Sequence, residues 1–328
     1  MKFACAYIEE EVRDTPRVKA ILSRLSDTPI VDIGRYGEVF NRNAQNFRLQ
    51  KQNPALILAK KHGNLVLPSP ADYGFNENPS FYFSHMLNCV YDCRYCFLQG
   101  MYRSANYVLF TNYEDFASEI DRTASDKTGA VFYSGYDCDS LALEPVSGFI
   151  DYFVPWFSRH TDTTLELRTK STQVRKLQKF EPLDNCVIAM SFTPEPDHRR
   201  WELRVPAIAK RLDALARLQR QGWQIALRFE PLIYSDRFRE HYQTLFAGVF
   251  SKLNTTDLHS VSIGQFRMPK NFYSRVASLY PDEALFARKF QLQDGQVVQL
   301  QVQQEELRQG VEELLFRYID KSKYYHCG

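Results

Sequence analysis

From Ser80 onward, short apolar runs and amphipathic stretches take turns along the chain, and this alternation restricts the fold more than any other feature. The pattern predicts strands at Phe81–Leu87, Val108–Thr111, Ala130–Ser134, Thr164–Thr169, Val187–Phe192, Gln224–Phe229 and Ser260–Gln265. Helices fall between them at Glu114–Ala124, Val146–Ser158, Gln173–Lys179, Ala207–Gln221 and Phe238–Leu253. About six strand–helix repeats in series need parallel strands joined by crossover helices, in a barrel or a doubly wound sheet. Ahead of them lie a helix over Val12–Leu25, strands at Ile30–Ile33 and Ala55–Ala59, and a connecting loop over 64–78. Behind them, Asp294-Gly295 between two alternating runs marks a hairpin, and a last helix covers Glu305–Ile319. The expected division is an N-terminal α/β extension (1–79), a barrel (80–268) and a C-terminal segment (269–328) that completes the barrel side and the substrate site.

One α/β barrel can absorb all 328 residues. With 41 basic and 39 acidic side chains the formal charge is +2, which excludes a general electrostatic trap for nucleic acid and leaves room for a local basic groove. No apolar run approaches the roughly 18 residues of a membrane span, and Met1–Glu10 has no signal-peptide form. A cytoplasmic location without a membrane partner is therefore expected. Seven cysteines are too few and too unevenly spaced for a disulfide scaffold.

Three of those cysteines, Cys89, Cys93 and Cys96, stand in the pattern C-x3-C-x2-C. Three thiolates on one short loop can hold three corners of an iron-sulfur cube and leave the fourth iron open, whereas four would close it for electron transfer. Structural zinc wants four ligands; His85, four residues before Cys89, is the candidate fourth ligand for a non-enzymatic zinc or DNA-binding protein.

The string Cys89-Val-Tyr-Asp-Cys93-Arg-Tyr95-Cys96-Phe97-Leu98-Gln99 resembles the cluster loop of the radical S-adenosylmethionine superfamily, and in particular that of the spore photoproduct lyase family. Ala6–Glu9, Ala55–Lys61 and the aromatic ending Tyr324-Tyr325 are also similar to that family. The resemblance implies a partial (α/β)6 TIM-type barrel with the cluster loop after its first strand, a [4Fe-4S] cluster on Cys89, Cys93 and Cys96, and S-adenosyl-L-methionine on the open iron. One electron, from a reductant such as flavodoxin or ferredoxin, then yields a 5′-deoxyadenosyl radical that abstracts hydrogen from the substrate.

In such a barrel the ligands sit at the strand C-termini. By the same resemblance, Asp139 is the candidate for the methionine ammonium, with Cys138 or Ser140 beside it; capping the next helix is the other role open to Asp139. Lys170 matches the family lysine that pairs with the methionine carboxylate, and Ser191 stands where the family has a serine near the cofactor. Arg228, with Glu230, either contacts the ribose or forms a buried ion pair.

The family repairs a methylene-bridged thymine dimer and returns the last hydrogen from a cysteine. Here that cysteine's position falls on Tyr136. The candidates around this step are Cys138, Tyr136 in another role, and Cys327 if the tail folds over the barrel mouth. For a DNA or other nucleic-acid substrate, the candidate contacts are Arg199, Arg204, Arg267 and Lys270, with Trp201 or Tyr273 as stacking residues. The same radical chemistry on RNA, a peptide or a small molecule is the alternative.

Overall fold

A computed structural model of the chain describes all residues except 1, 26, 71–72, 76–77 and 328. Part of the loop expected over 64–78 therefore lies outside the described residues. Two sheets organise most of the remainder.

Among the described residues, the larger sheet has eight strands. Six of them run parallel in chain order: Ser80–Phe83, Val131–Ser134, Thr164–Thr169, Cys186–Ser191, Gln224–Leu232 and Leu258–Gln265. Helices Tyr113–Ser125, Phe149–Phe157, Ile208–Gln221 and Phe238–Phe250 cover the outer face. The sheet curls into a half-barrel, and the near-continuous burial along its central strands reflects cover on both sides. Leu67–Pro68 closes one edge antiparallel to Ser80–Phe83. At the other edge the tail strand Tyr324–Cys327 pairs parallel with Leu258–Gln265, aligning Cys327 with Gly264.

The smaller sheet orders Ile30–Ile33, Ala6–Glu9, Leu56–Ala59, Tyr107–Phe110 and Met86–Leu87. Its last two strands come from beyond residue 80: the chain leaves the half-barrel after its first strand, builds the cluster loop, and returns through the N-terminal sheet. Tyr107–Phe110, which the alternation counts with the barrel strands, pairs with Leu56–Ala59 instead.

The hairpin forms as expected. Phe290–Gln293 and Gln296–Gln299 pair antiparallel, and Asp294 and Gly295 both take the positive φ values, 49° and 77°, that a two-residue turn requires. Its second strand also pairs with Arg267–Pro269. Other elements shift. The helix expected over Val146–Ser158 breaks at Gly148, φ 61°, into Glu144–Ser147 and Phe149–Phe157. Within Gln173–Lys179 only a 3-10 turn at Leu177–Lys179 forms. The last helix covers Gln301–Leu315. Among the described residues, no helix is long and apolar enough to cross a membrane.

Candidate active site

A cavity of about 640 Å³ opens at the C-terminal ends of the parallel strands, where ligands of α/β barrels collect. The loop after Ser80–Phe83 supplies Cys89, Cys93 and Cys96 to its wall. Local chemistry fixes that loop. Asn88 adopts a left-handed φ of 66° and its amide donates to the carbonyls of Ser104 and Asn106 at 2.8 and 2.7 Å. The buried Lys51 ammonium donates to the Cys89 and Tyr91 carbonyls at 2.8 and 2.9 Å. Asp92–Cys93 pairs antiparallel with Glu202–Leu203. Gly100 lets helix Lys270–Leu279 pack against the loop's exit, where a Cβ would collide with the Phe272 carbonyl oxygen.

All three thiols are free. Burial pushes Cys89 up to about 12 and raises Cys93 and Cys96 as well. Such thiols become thiolates only with a cation among them, which a cluster of iron provides. Among the described residues no group of three or more His, Cys, Asp or Glu gathers tightly enough for a single metal ion. The donor set fits a three-cysteine cluster. It does not fit zinc with His85, whose ring packs against Phe149 at 4.2 Å, with burial lowering it to about 3, and which lies outside the cavity wall.

Asp139, Lys170, Ser191, Tyr136, Cys138, Cys327 and Arg267 share the same wall. Asp139 holds its loop: Oδ1 accepts from the Leu141 and Ala142 N–H groups and the Thr169 hydroxyl at 3.0, 2.8 and 2.7 Å, and Oδ2 accepts from the Lys170 N–H at 2.6 Å. Lys170 Nζ donates to Glu202 Oε1 at 2.8 Å and to the Tyr95 hydroxyl, which donates to the same carboxylate. The aromatic residue before the last cysteine thus ties the cluster loop to the lysine. Glu202 also meets Arg211 at 2.9 Å, and these cations hold its carboxyl well below the usual range despite burial.

Seven further predicted residues lie off the wall. Arg228 forms a buried ion pair, but with Glu166 rather than Glu230: it donates to Glu166 at 2.9 Å and to Ser260 at 3.1 Å inside the half-barrel. Ser140 is buried against Ser134, with the two hydroxyl oxygens 2.7 Å apart. Arg199 is exposed and paired with Glu195 one helical turn away. Arg204 donates to the Lys51 carbonyl at 2.9 Å, and Lys270 sits exposed at the start of its helix. Trp201 is 0% exposed, so it is core rather than a stacking wedge. Tyr273 packs on Phe286 and Phe290.

One charged wall residue, Arg168, escapes the sequence reading, and Glu230, expected beside Arg228, reaches the wall without it. Arg168 stacks over Tyr73 at 3.9 Å and donates to Glu166 at 2.8 Å, and Glu230 accepts from Ser262. A signal for Arg168 exists: Glu166-x-Arg168, like Arg228-x-Glu230, places opposite charges two apart, on one face, inside an apolar strand. Tyr73, Tyr136, Phe97 and Phe272 make this side of the cavity aromatic.

A curled sheet of parallel strands with a three-cysteine loop after its first strand defines a barrel enzyme of the radical S-adenosylmethionine type. Residues 77–326 match the family model of spore photoproduct lyase, and the chain belongs to that family of radical S-adenosylmethionine lyases. Solved structures agree on the fold. A cysteine-to-serine mutant of spore photoproduct lyase superposes with a TM-score of 0.84 at 15% identity, over 99% of this chain and 98% of that one. A mutant with bound AdoMet and dinucleoside spore photoproduct gives 0.83 at 16%, and a complex with dinucleoside spore photoproduct 0.82 at 16%, both over the same shares. No curated protein sequence matches significantly.

Proposed function

We propose that the protein repairs a methylene-bridged thymine photoproduct, or a closely related base lesion in DNA, by radical lyase chemistry. The observation that carries this reading is the shared cavity: the three-cysteine loop and an aromatic, guanidinium-bearing wall face one volume of about 640 Å³. That size lies within the roughly 300–1,000 Å³ of small-molecule sites.

Cys89, Cys93 and Cys96 would hold a [4Fe-4S] cluster, with S-adenosyl-L-methionine at its open corner. When bound, these groups supply a 5′-deoxyadenosyl radical able to take a hydrogen atom from a substrate carbon. Lys170 is the candidate for the methionine carboxylate, pre-positioned by Glu202 and Tyr95. Asp139 acts chiefly on its own loop, accepting from the Leu141 and Ala142 N–H groups. Tyr136 and Phe97, with ring centroids 5.8 Å apart, suit a base removed from its stack. Arg267 is the cation best placed for a flanking phosphate. The walls exclude water from a reactive radical and hold one C–H bond in place.

The test is anaerobic reconstitution followed by turnover. The protein should become brown as thiolates bind iron, and after reduction by a flavodoxin- or ferredoxin-class donor it should convert the dinucleoside photoproduct to two thymidines. Cys93→Ala should remain colourless and inactive. Colourless wild-type protein holding zinc would overturn the proposal, as would brown protein that leaves the photoproduct intact.

A further inference from the structure

Two cysteines outside the three-thiol loop line the cavity, and their surroundings differ. The titratable neighbours of Cys138 are Cys89, Asp137 and Asp139, and the Met86 N–H donates to it. It belongs to the cluster-loop side. The neighbours of Cys327 are Glu230, Arg168, Arg267 and Arg228. Tyr73 and Tyr136 lie close enough to couple to it electrostatically. This is the aromatic and guanidinium side of the cavity. Pairing with Leu258–Gln265 holds the tail in place, and Gly264 admits the Cys327 backbone, since a Cβ there would lie 3.3 Å from its carbonyl oxygen.

We infer that Cys327, carried into the cavity by the C-terminal strand, is the hydrogen-atom donor that quenches the substrate-derived radical. The inference rests on the lyase reading above. It assigns the donor to a residue more than 180 positions from the loop where Tyr136 and Cys138 lie. An S–H bond is weaker than the C–H bond formed, so transfer runs downhill. The Cys327 S–H bond breaks homolytically, its hydrogen atom forms the new C–H bond, and the unpaired electron stays on Sγ. One electron from the flavodoxin- or ferredoxin-class donor and one proton from solvent restore the thiol. Two features suit the role. Cys327 is 4% exposed, which keeps stray oxidants away. Burial also pushes its thiol up to about 12, so the S–H form persists at neutral pH.

The experiment follows deuterium. In protein equilibrated with D₂O, first-turnover product from the dinucleoside photoproduct should carry one deuteron on the repaired carbon. Product made by Cys327→Ser and Cys327→Ala should lack it, and product made by Cys138→Ser should keep it; using two variants at 327 guards against one failing to fold. A second readout needs no turnover. In cluster-free protein, the dinucleoside should slow alkylation of Cys327 severalfold while leaving Cys138 unaffected. Deuterium persisting in both Cys327 variants, or alkylation of Cys327 unchanged by the dinucleoside, overturns the donor assignment and leaves the lyase reading intact. No conversion by wild-type protein overturns the lyase reading, and this assignment with it.

Discussion

Two buried glutamates show how position alone sets the sign of a charge's contribution. Glu166 is surrounded by Arg228 and Arg168, which outweigh the cost of burial and hold it down to about 2 from an ordinary 4.5. Between those values the unfolded chain binds more protons than the native one, so the stabilisation is complete above 4.5 and is lost as pH falls through 2. The shift corresponds to about 3 kcal/mol. Glu166→Gln should remove that acid dependence and, by leaving two buried guanidinium groups short of a partner, cost about 3–5 kcal/mol at neutral pH; urea unfolding at several pH values measures both. Glu144 is the opposite case. Burial raises it to about 7, and its Oε1 has no partner while Oε2 accepts from the Ile150 N–H at 3.1 Å. Here the native state binds more protons between 4.5 and 7, so stability falls as pH rises through that window. Thermal melts from about pH 5 to 8 should show this decline in the wild type and a flatter profile in Glu144→Gln.

Among the elements, the tail strand depends most on a single residue. At Gly264 an added Cβ would lie 2.9 Å from Glu230 Cγ and 3.3 Å from the Cys327 carbonyl oxygen. Gly264→Ala should therefore push residues 324–327 off the sheet edge, at about 1–3 kcal/mol. Hydrogen exchange should rise at 324–327 while the central strands stay protected. The hairpin is legible in the sequence because Asp294-Gly295 states its own turn geometry. The tail strand is not: four residues, Tyr324–Cys327, carry little periodicity, and their partner at Val261–Gly264 lies some 60 residues away. Tyr107–Phe110 reads correctly as a strand yet belongs to the other sheet, since a strand's own pattern does not name the partner it joins.

For the molecule as a whole, the formal charge of +2 meets a site whose predicted basic set is largely engaged elsewhere. Arg199 and Arg228 pair with glutamates, Arg204 donates to a backbone carbonyl, and Lys270 stands off the wall; Arg267 alone of that set, together with Arg168 and Lys170, faces the cavity. With so few cations for phosphates, binding to a lesion-bearing oligonucleotide should weaken with salt at a log–log slope of only about −1 to −2. Fluorescence anisotropy across a salt series checks this, and Arg267→Ala should make the slope shallower by about one unit.

The class of chemistry and the order of the elements were already written in the amino-acid string. Cysteine spacing and strand–helix alternation are local properties, contained within a few residues or one turn of chain. Folding in three dimensions was needed to settle which charges meet each other instead of a ligand, that Trp201 is core, and that Cys327 reaches the cavity from the far end of the chain. Those outcomes depend on contacts between residues distant in sequence, where burial and pairing follow from the packing of the whole sheet.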